Sequence, residues 1–100
     1  MSSDRVPIAR LEAALPAPPG AWERHDDGSA IQYRLPGADG PWVAAKLTVR
    51  PDRLGDAAVR IDRIAGCRQT GTTRHEDAAD AVDALTAELH AVLAAADRES

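Results

Sequence analysis

Hydrophobic and polar residues alternate in four short runs, and turns rich in Gly, Pro and Asp separate these runs. Alternation with a period of two residues is typical of strands that bury one face. Because short connections join consecutive runs, the pattern predicts an antiparallel meander. The first two runs flank Asp27-Gly28, a dipeptide that favours a two-residue hairpin turn. The four predicted strands are Trp22–Asp26, Ser29–Leu35, Trp42–Arg50 and Ala58–Ile64.

A short helix is predicted before the strands. Its apolar stripe comprises Ile8, Leu11 and Leu15. Ser3 or Asp4 is suited to cap its first turn, and proline ends it at the stiff Pro16–Gly20 connector.

A long amphipathic helix is predicted at the end of the chain. Thr73 and Glu76 have the spacing of a capping box at its start. Its apolar stripe comprises Ala78, Val82, Leu85, Leu89, Val92, Leu93 and Ala96. We therefore predict a single α+β domain over residues 1–100, in which this helix packs on one face of a four-stranded sheet. Residues 1–4 and 97–100 are expected to fray.

Side-chain parity assigns the two faces of the predicted sheet. The residues expected on the covered face are Ile31, Tyr33, Leu35, Val43, Ala45, Leu47, Val49, Val59 and Ile61. Those of opposite parity include Gln32, Ala44, Thr48 and Asp62. Ile64 breaks the alternation, which indicates a bulge or the end of the strand.

Charge and composition narrow the function classes. The formal net charge is −4, which disfavours a dedicated DNA-binding protein that relies on neutralising phosphates. Most of the acidic excess lies in residues 75–100. Only three aromatic residues are present and much of the apolar content is alanine, so the core is expected to be thin and its stability modest or shared with a partner.

The expected location is the cytoplasm. Cys67 is the single cysteine, so no disulfide framework within the chain marks it as secreted. No apolar run approaches the roughly 20 residues of a membrane span. The first five residues lack the apolar stretch of a signal peptide.

The open sheet face is the first candidate site. Its expected members are Arg34, Trp42, Lys46, Arg50 and Arg60, which lie on adjacent predicted strands. A basic face that bears an aromatic residue is suited to single-stranded nucleic acid, to anionic lipid headgroups or to an acidic protein. A sheet covered on one side also needs a polar outer face for solubility, and a single stacking residue makes a poor nucleic-acid platform.

The outer side of the final helix offers two further patterns. Glu76, Asp80 and Asp83 share one flank, but carboxylates on a straight helix rarely converge on one ion, so no metal site is predicted. Further along, Ala87, Ala91 and Ala94 form a smooth strip. This strip suits close approach of a second helix in a dimer or a partner complex, and alanine is equally a good helix former without any partner.

The segment 66–74 is predicted to be a loop between a strand and the final helix. Its glycines resemble those of a phosphate-binding loop, but Thr72-Thr73 stand where such a loop needs Lys-Ser/Thr. Cys67 and Arg74 are one residue too far apart for a cysteine-phosphatase signature. Cys67 and His75 could in principle form a nucleophile and its base, but the sequence implies no third group that would orient them. Weak anion binding by this loop stays open. We predict no catalytic residue and no cofactor.

The order helix, four strands, helix resembles that of kinase-associated C-terminal domains, which bind anionic lipids and kinase partners. Val59-Arg60-Ile61-Asp62-Arg63-Ile64, before a final helix, is similar in character to the corresponding segment. Frataxin-like proteins have a related layout, with an acidic ridge associated with the first helix. The first helix here carries only Asp4 and Glu12. Element order does not carry function by itself.

The sequence thus favours a non-enzymatic interaction module: an adaptor, a regulator or a self-associating subunit. A protein partner or a second copy is the expected partner. The alternative is a binder of an anionic ligand, either single-stranded nucleic acid or a lipid headgroup, on the same basic face.

Overall fold

The structure is a computed structural model that describes residues 8–37, 43–51, 59–65 and 68–99. Its elements in chain order are α1 (Ile8–Ala14), β1 (Glu23–Asp26), β2 (Ile31–Pro36), β3 (Val43–Pro51), β4 (Val59–Ala65), β5 (Arg68–His75) and α2 (Ala78–Glu99). The predicted α+β class is confirmed. The predicted caps Ser3 and Asp4, as well as Trp42 and Cys67, lie outside the described residues.

The described strands form one sheet in the order β1-β2-β3-β4-β5, with antiparallel neighbours throughout. The predicted meander is therefore confirmed, but the predicted number of four strands is wrong. Residues 68–75, predicted as a loop and the start of the final helix, form the fifth strand. This strand has polar residues on both faces, so it lacks the alternation on which the prediction relied.

The turn between β1 and β2 is displaced by one residue from the predicted position. The backbone N–H of Asp27 donates to the carbonyl of Ala30 at 3.2 Å, so Gly28 and Ser29 are the two central residues. Gly28 has φ +88°, a conformation that side chains disfavour. The Asp27 carboxylate accepts bonds from the backbone N–H groups of Ser29 at 2.9 Å and Ala30 at 2.8 Å. These bonds lower the pKa of Asp27.

The core lies between the sheet and the two helices. From the sheet it contains the predicted inward residues Ile31, Tyr33, Leu35, Leu47, Val49, Val59 and Ile61. Leu11 and Leu15 from the first helical segment, and Ala81, Leu85 and Leu89 from α2, complete the buried cluster with Trp22. Trp22, predicted to begin a strand, instead precedes β1, and its indole N–H donates to the Leu89 carbonyl at 3.1 Å.

Arg24 and Tyr33 hold the end of α1 against the sheet. The Arg24 guanidinium donates to the carbonyls of Glu12 at 2.7 Å and Leu15 at 3.1 Å, which lack partners within a helix that ends there. The Tyr33 hydroxyl donates to the Pro16 carbonyl at 2.6 Å. The inner face of β1 and β2 therefore anchors α1 beside α2, and both helices cover the same face of the sheet.

Helix α2 begins four residues later than the predicted capping box. Asp77, and not Thr73, is the N-cap: its carboxylate accepts the backbone N–H of Asp80 at 2.8 Å, and its carbonyl accepts that of Ala81 at 3.2 Å. Thr73 is part of β5. Local spacing suited both starts, and the pairing of β5 with β4 selects the later one.

Candidate binding face

Strand register places the predicted basic residues on the face of the sheet opposite the helices. Arg34 pairs with Lys46 across β2 and β3, and Arg50 pairs with Arg60 across β3 and β4. Each has the opposite parity to the buried residues of its strand. We call this the outer face. Of the predicted site, Arg34, Lys46, Arg50 and Arg60 lie on it, and Trp42 lies outside the described residues.

The register adds one basic residue that sequence reasoning missed. Arg74 of β5 pairs with Arg60, so Arg50, Arg60 and Arg74 stand side by side on three adjacent strands. Neighbouring strands lie about 4.8 Å apart, which brings the three guanidinium groups into one row. Arg74 could not be assigned to the outer face from the sequence, because its segment was not predicted to be a strand.

Asp62 is the carboxylate beside this row, two residues along β4 from Arg60 on the same face. It accepts bonds from Arg50 Nη2 at 2.9 Å, Arg60 Nε at 3.0 Å and the Thr72 hydroxyl at 2.6 Å. Burial raises the pKa of Asp62, but the bonds from Thr72 and Arg60 and the charges of Arg60 and Arg50 outweigh burial and hold it below its usual value. Asp62 is therefore ionised at neutral pH and fixes two arginines in place.

Arg34 has an unused hydrogen-bond donor. Its Nη2 donates to the Gln32 side-chain carbonyl at 3.1 Å, while its Nε is buried and has no partner among the described residues. Across the strands, Arg34 is opposite Glu23 on one side and Lys46 on the other. A buried donor without an acceptor is unfavourable.

The outer face is positively charged although the whole chain is negative. The charged side chains of known parity on it are Arg34, Lys46, Arg50, Arg60 and Arg74, against Glu23 and Asp62. Within the described residues, no helix packs on this side, because α1 and α2 both contact the buried face. The face is thus an accessible surface with an excess of cations.

A separate polar network joins β4, β5 and α2 on the inner face. Arg63 Nε lies 2.6 Å from both carboxylate oxygens of Glu88, and Arg63 Nη1 donates to the Thr73 hydroxyl at 3.0 Å. The same hydroxyl lies 3.1 Å from His75 Nε2, and His75 Nδ1 lies 2.7 Å from the Asp80 carboxylate.

The order hydroxyl, imidazole, carboxylate is shared with catalytic triads. Here, however, the Thr73 oxygen already accepts a bond from Arg63, which draws electron density from the oxygen that a nucleophile needs. The network joins two strands to Asp80 in the first turn of α2 and to Glu88 near its middle, and so positions that helix. Cys67, for which no catalytic role beside His75 was predicted, lies outside the described residues.

Two further patterns, the acidic flank and the alanine strip, were predicted on the final helix. Asp80 of the acidic flank is paired with His75, and across the described ranges no group of three His, Cys, Asp or Glu side chains is placed to hold a metal ion. The strip residues Ala87, Ala91 and Ala94 are all exposed on α2. No described helix is long and apolar enough to cross a membrane.

Comparison of the chain with protein-family models, with curated proteins and with solved structures finds no match. The geometry and charge of the outer face are therefore the features that point to a function.

Proposed function

We propose that this protein is a non-enzymatic interaction module that binds an acidic protein partner through its outer face. The observation that supports the proposal is the separation of the two sides of the sheet. Both helices cover one side, whereas the other side presents five basic side chains against two carboxylates within the described residues. Complementary charge of this kind gives a partner its orientation and speeds its association.

A protein partner is favoured over a single-stranded nucleic acid by the chemistry of the face. Binding of unpaired bases depends on aromatic stacking as much as on phosphate contacts. Among side chains described by the structure, the aromatic Trp22 and Tyr33 are buried beneath the sheet. The basic residues are also spaced by strand pairing and fixed by Asp62, which suits carboxylates presented by an ordered polypeptide.

The proposal includes a cytoplasmic setting, for which the single cysteine, Cys67, is the support. The exposed strip Ala87, Ala91 and Ala94 stays a prediction for self-association, because exposed alanine suits both a partner contact and a solvated helix.

Three defined probes test the proposal by fluorescence anisotropy at low and at physiological salt: a polyglutamate peptide, oligo-dT and vesicles containing phosphatidylserine. We expect the peptide to bind at both salt concentrations. Binding of oligo-dT or vesicles alone, with a steep loss as salt rises, would replace the proposal by the anionic-ligand alternative. Absence of binding by all three probes would contradict both.

A further inference from the structure

Strand β5 is an edge of the sheet with one open side. Its neighbour among the described strands is β4, so the backbone groups on its other side lack a strand partner there. Ile64 is opposite Gln69 and Arg63 is opposite Gly71, which leaves Thr70 as an extra residue in a bulge. The bulge thus lies in β5, opposite the position predicted for an irregularity, whereas β4 pairs regularly with β3 through Ile64 and Ala65. The part of the edge beyond the bulge is therefore 71–75, and it begins at Gly71, whose φ is +152°.

The opposite edge of the sheet, β1, differs in length and in charge. It has four residues, of which Glu23 and Asp26 are acidic and Arg24 is basic, and the acidic Asp27 follows. Strand β5 has eight residues, with Arg68 and Arg74 and without an acidic residue. Glu76 and Asp77 follow β5, so the contrast in charge lies within the strands themselves, where an acidic segment is favoured along β5 over β1.

We propose that an extended acidic segment of the partner adds to the sheet as a further strand along residues 71–75 of β5. This inference rests on the proposed function and names the binding mode and the chemistry of the partner. Backbone hydrogen bonds to the open edge would supply affinity, while alternate side chains would supply specificity. Side chains of one parity would lie on the outer face beyond Arg74, where carboxylates extend the row of Arg50, Arg60 and Arg74.

The side chains of opposite parity on the added strand would lie on the inner side of the sheet, next to Thr73 and His75. That surface is polar and already hydrogen-bonded to Arg63 and Asp80, so small polar or β-branched residues suit it. The recognised sequence is thus an alternation of acidic residues with residues such as threonine or valine.

The test uses the full chain and a peptide of alternating glutamate and valine, about ten residues long, with a glutamine-valine peptide as the matched control. Amide hydrogen exchange is followed residue by residue by NMR. In an antiparallel pair, adjacent residues alternate in the direction of their hydrogen bonds, so every second amide of 71–75 is open in the free protein. At about ten times the Kd of the peptide, these amides should exchange about tenfold more slowly.

The outcomes separate the inference from the proposed function. Protection of alternate β5 amides by the glutamate peptide, and a loss of that protection in Arg74→Glu but not in Arg74→Lys, would support strand addition. Binding that Lys46→Glu weakens, without protection in β5, would overturn strand addition and keep the outer face as the binding surface. Protection at β1, or equal binding of the glutamine peptide, would overturn the inference. Absence of any peptide binding would overturn both.

Discussion

At the scale of single residues, Asp62 has two opposing effects. Its carboxylate accepts three hydrogen bonds and is largely buried, so it stabilises the fold. It also neutralises part of the charge that a ligand of the outer face would meet. We expect Asp62→Asn to lower the free energy of unfolding by about 1–3 kcal/mol at pH 7, yet to tighten binding of a polyglutamate peptide. Urea denaturation and anisotropy measure the two effects.

The pH dependence follows from the lowered pKa of Asp62. A carboxyl group with a depressed pKa in the folded state contributes stability above its unfolded pKa, about 3.9, and loses that contribution as pH falls through the folded value. The difference between wild type and Asp62→Asn should therefore shrink below about pH 4. Asp83→Asn on the exposed side of α2 is the matched control. A constant difference down to pH 2 would contradict the assignment.

Arg24 provides a second residue-scale prediction, since it caps the end of α1 from β1. Arg24→Lys keeps the charge but loses the fork that reaches the carbonyls of Glu12 and Leu15. We expect a loss of about 1–3 kcal/mol in unfolding free energy, because these carbonyls are left without donors. Arg10→Lys, on the exposed side of α1, should change stability by less than about 0.5 kcal/mol. Equal effects of the two substitutions would contradict the capping role.

At the scale of whole elements, a strand could be predicted where burial of one face imposed an alternation of apolar and polar residues, and could not be predicted where this alternation was missing. Strands β2, β3 and β4 each bury alternate residues, and their faces were assigned correctly from sequence. Strand β5 has no such signature, and its pairing with β4 depends on contacts that local sequence does not encode. The role of Arg24 was equally hidden, because its partners are backbone carbonyls of a different element.

The start of α2 gives a prediction at the element scale. Asp77→Ala removes the side chain that accepts the Asp80 N–H, and should cost about 0.5–2 kcal/mol of unfolding free energy. Glu76→Ala removes the residue on which the capping box would depend, and should change stability by less than about 0.5 kcal/mol. Thermal or urea denaturation of both variants decides between the two starts. A larger effect at Glu76 would restore the capping box.

At the scale of the whole molecule, the proposed function depends on the distribution of charge. Four of the five residues predicted for the basic face lie on the same face of the sheet in the structure. The fifth, Trp42, lies outside the described residues. Arg74 of β5 lies on this face as well. The sheet separates this cationic side from the helices, of which α2 carries most of its described charges as carboxylates. The proposed acidic partner would therefore be directed to one side of the molecule.

The most direct test compares the affinity of a polyglutamate peptide for two charge-reversal variants. Lys46→Glu changes the centre of the outer face, and Arg10→Glu makes the same change in net charge on α1, across the molecule. Circular dichroism checks that both variants fold. We predict that Lys46→Glu weakens binding about fivefold or more at physiological salt, a cost of about 1 kcal/mol, while Arg10→Glu leaves it within about twofold. Equal weakening by both variants would mean that the peptide responds only to net charge, and would contradict the outer face as the binding surface.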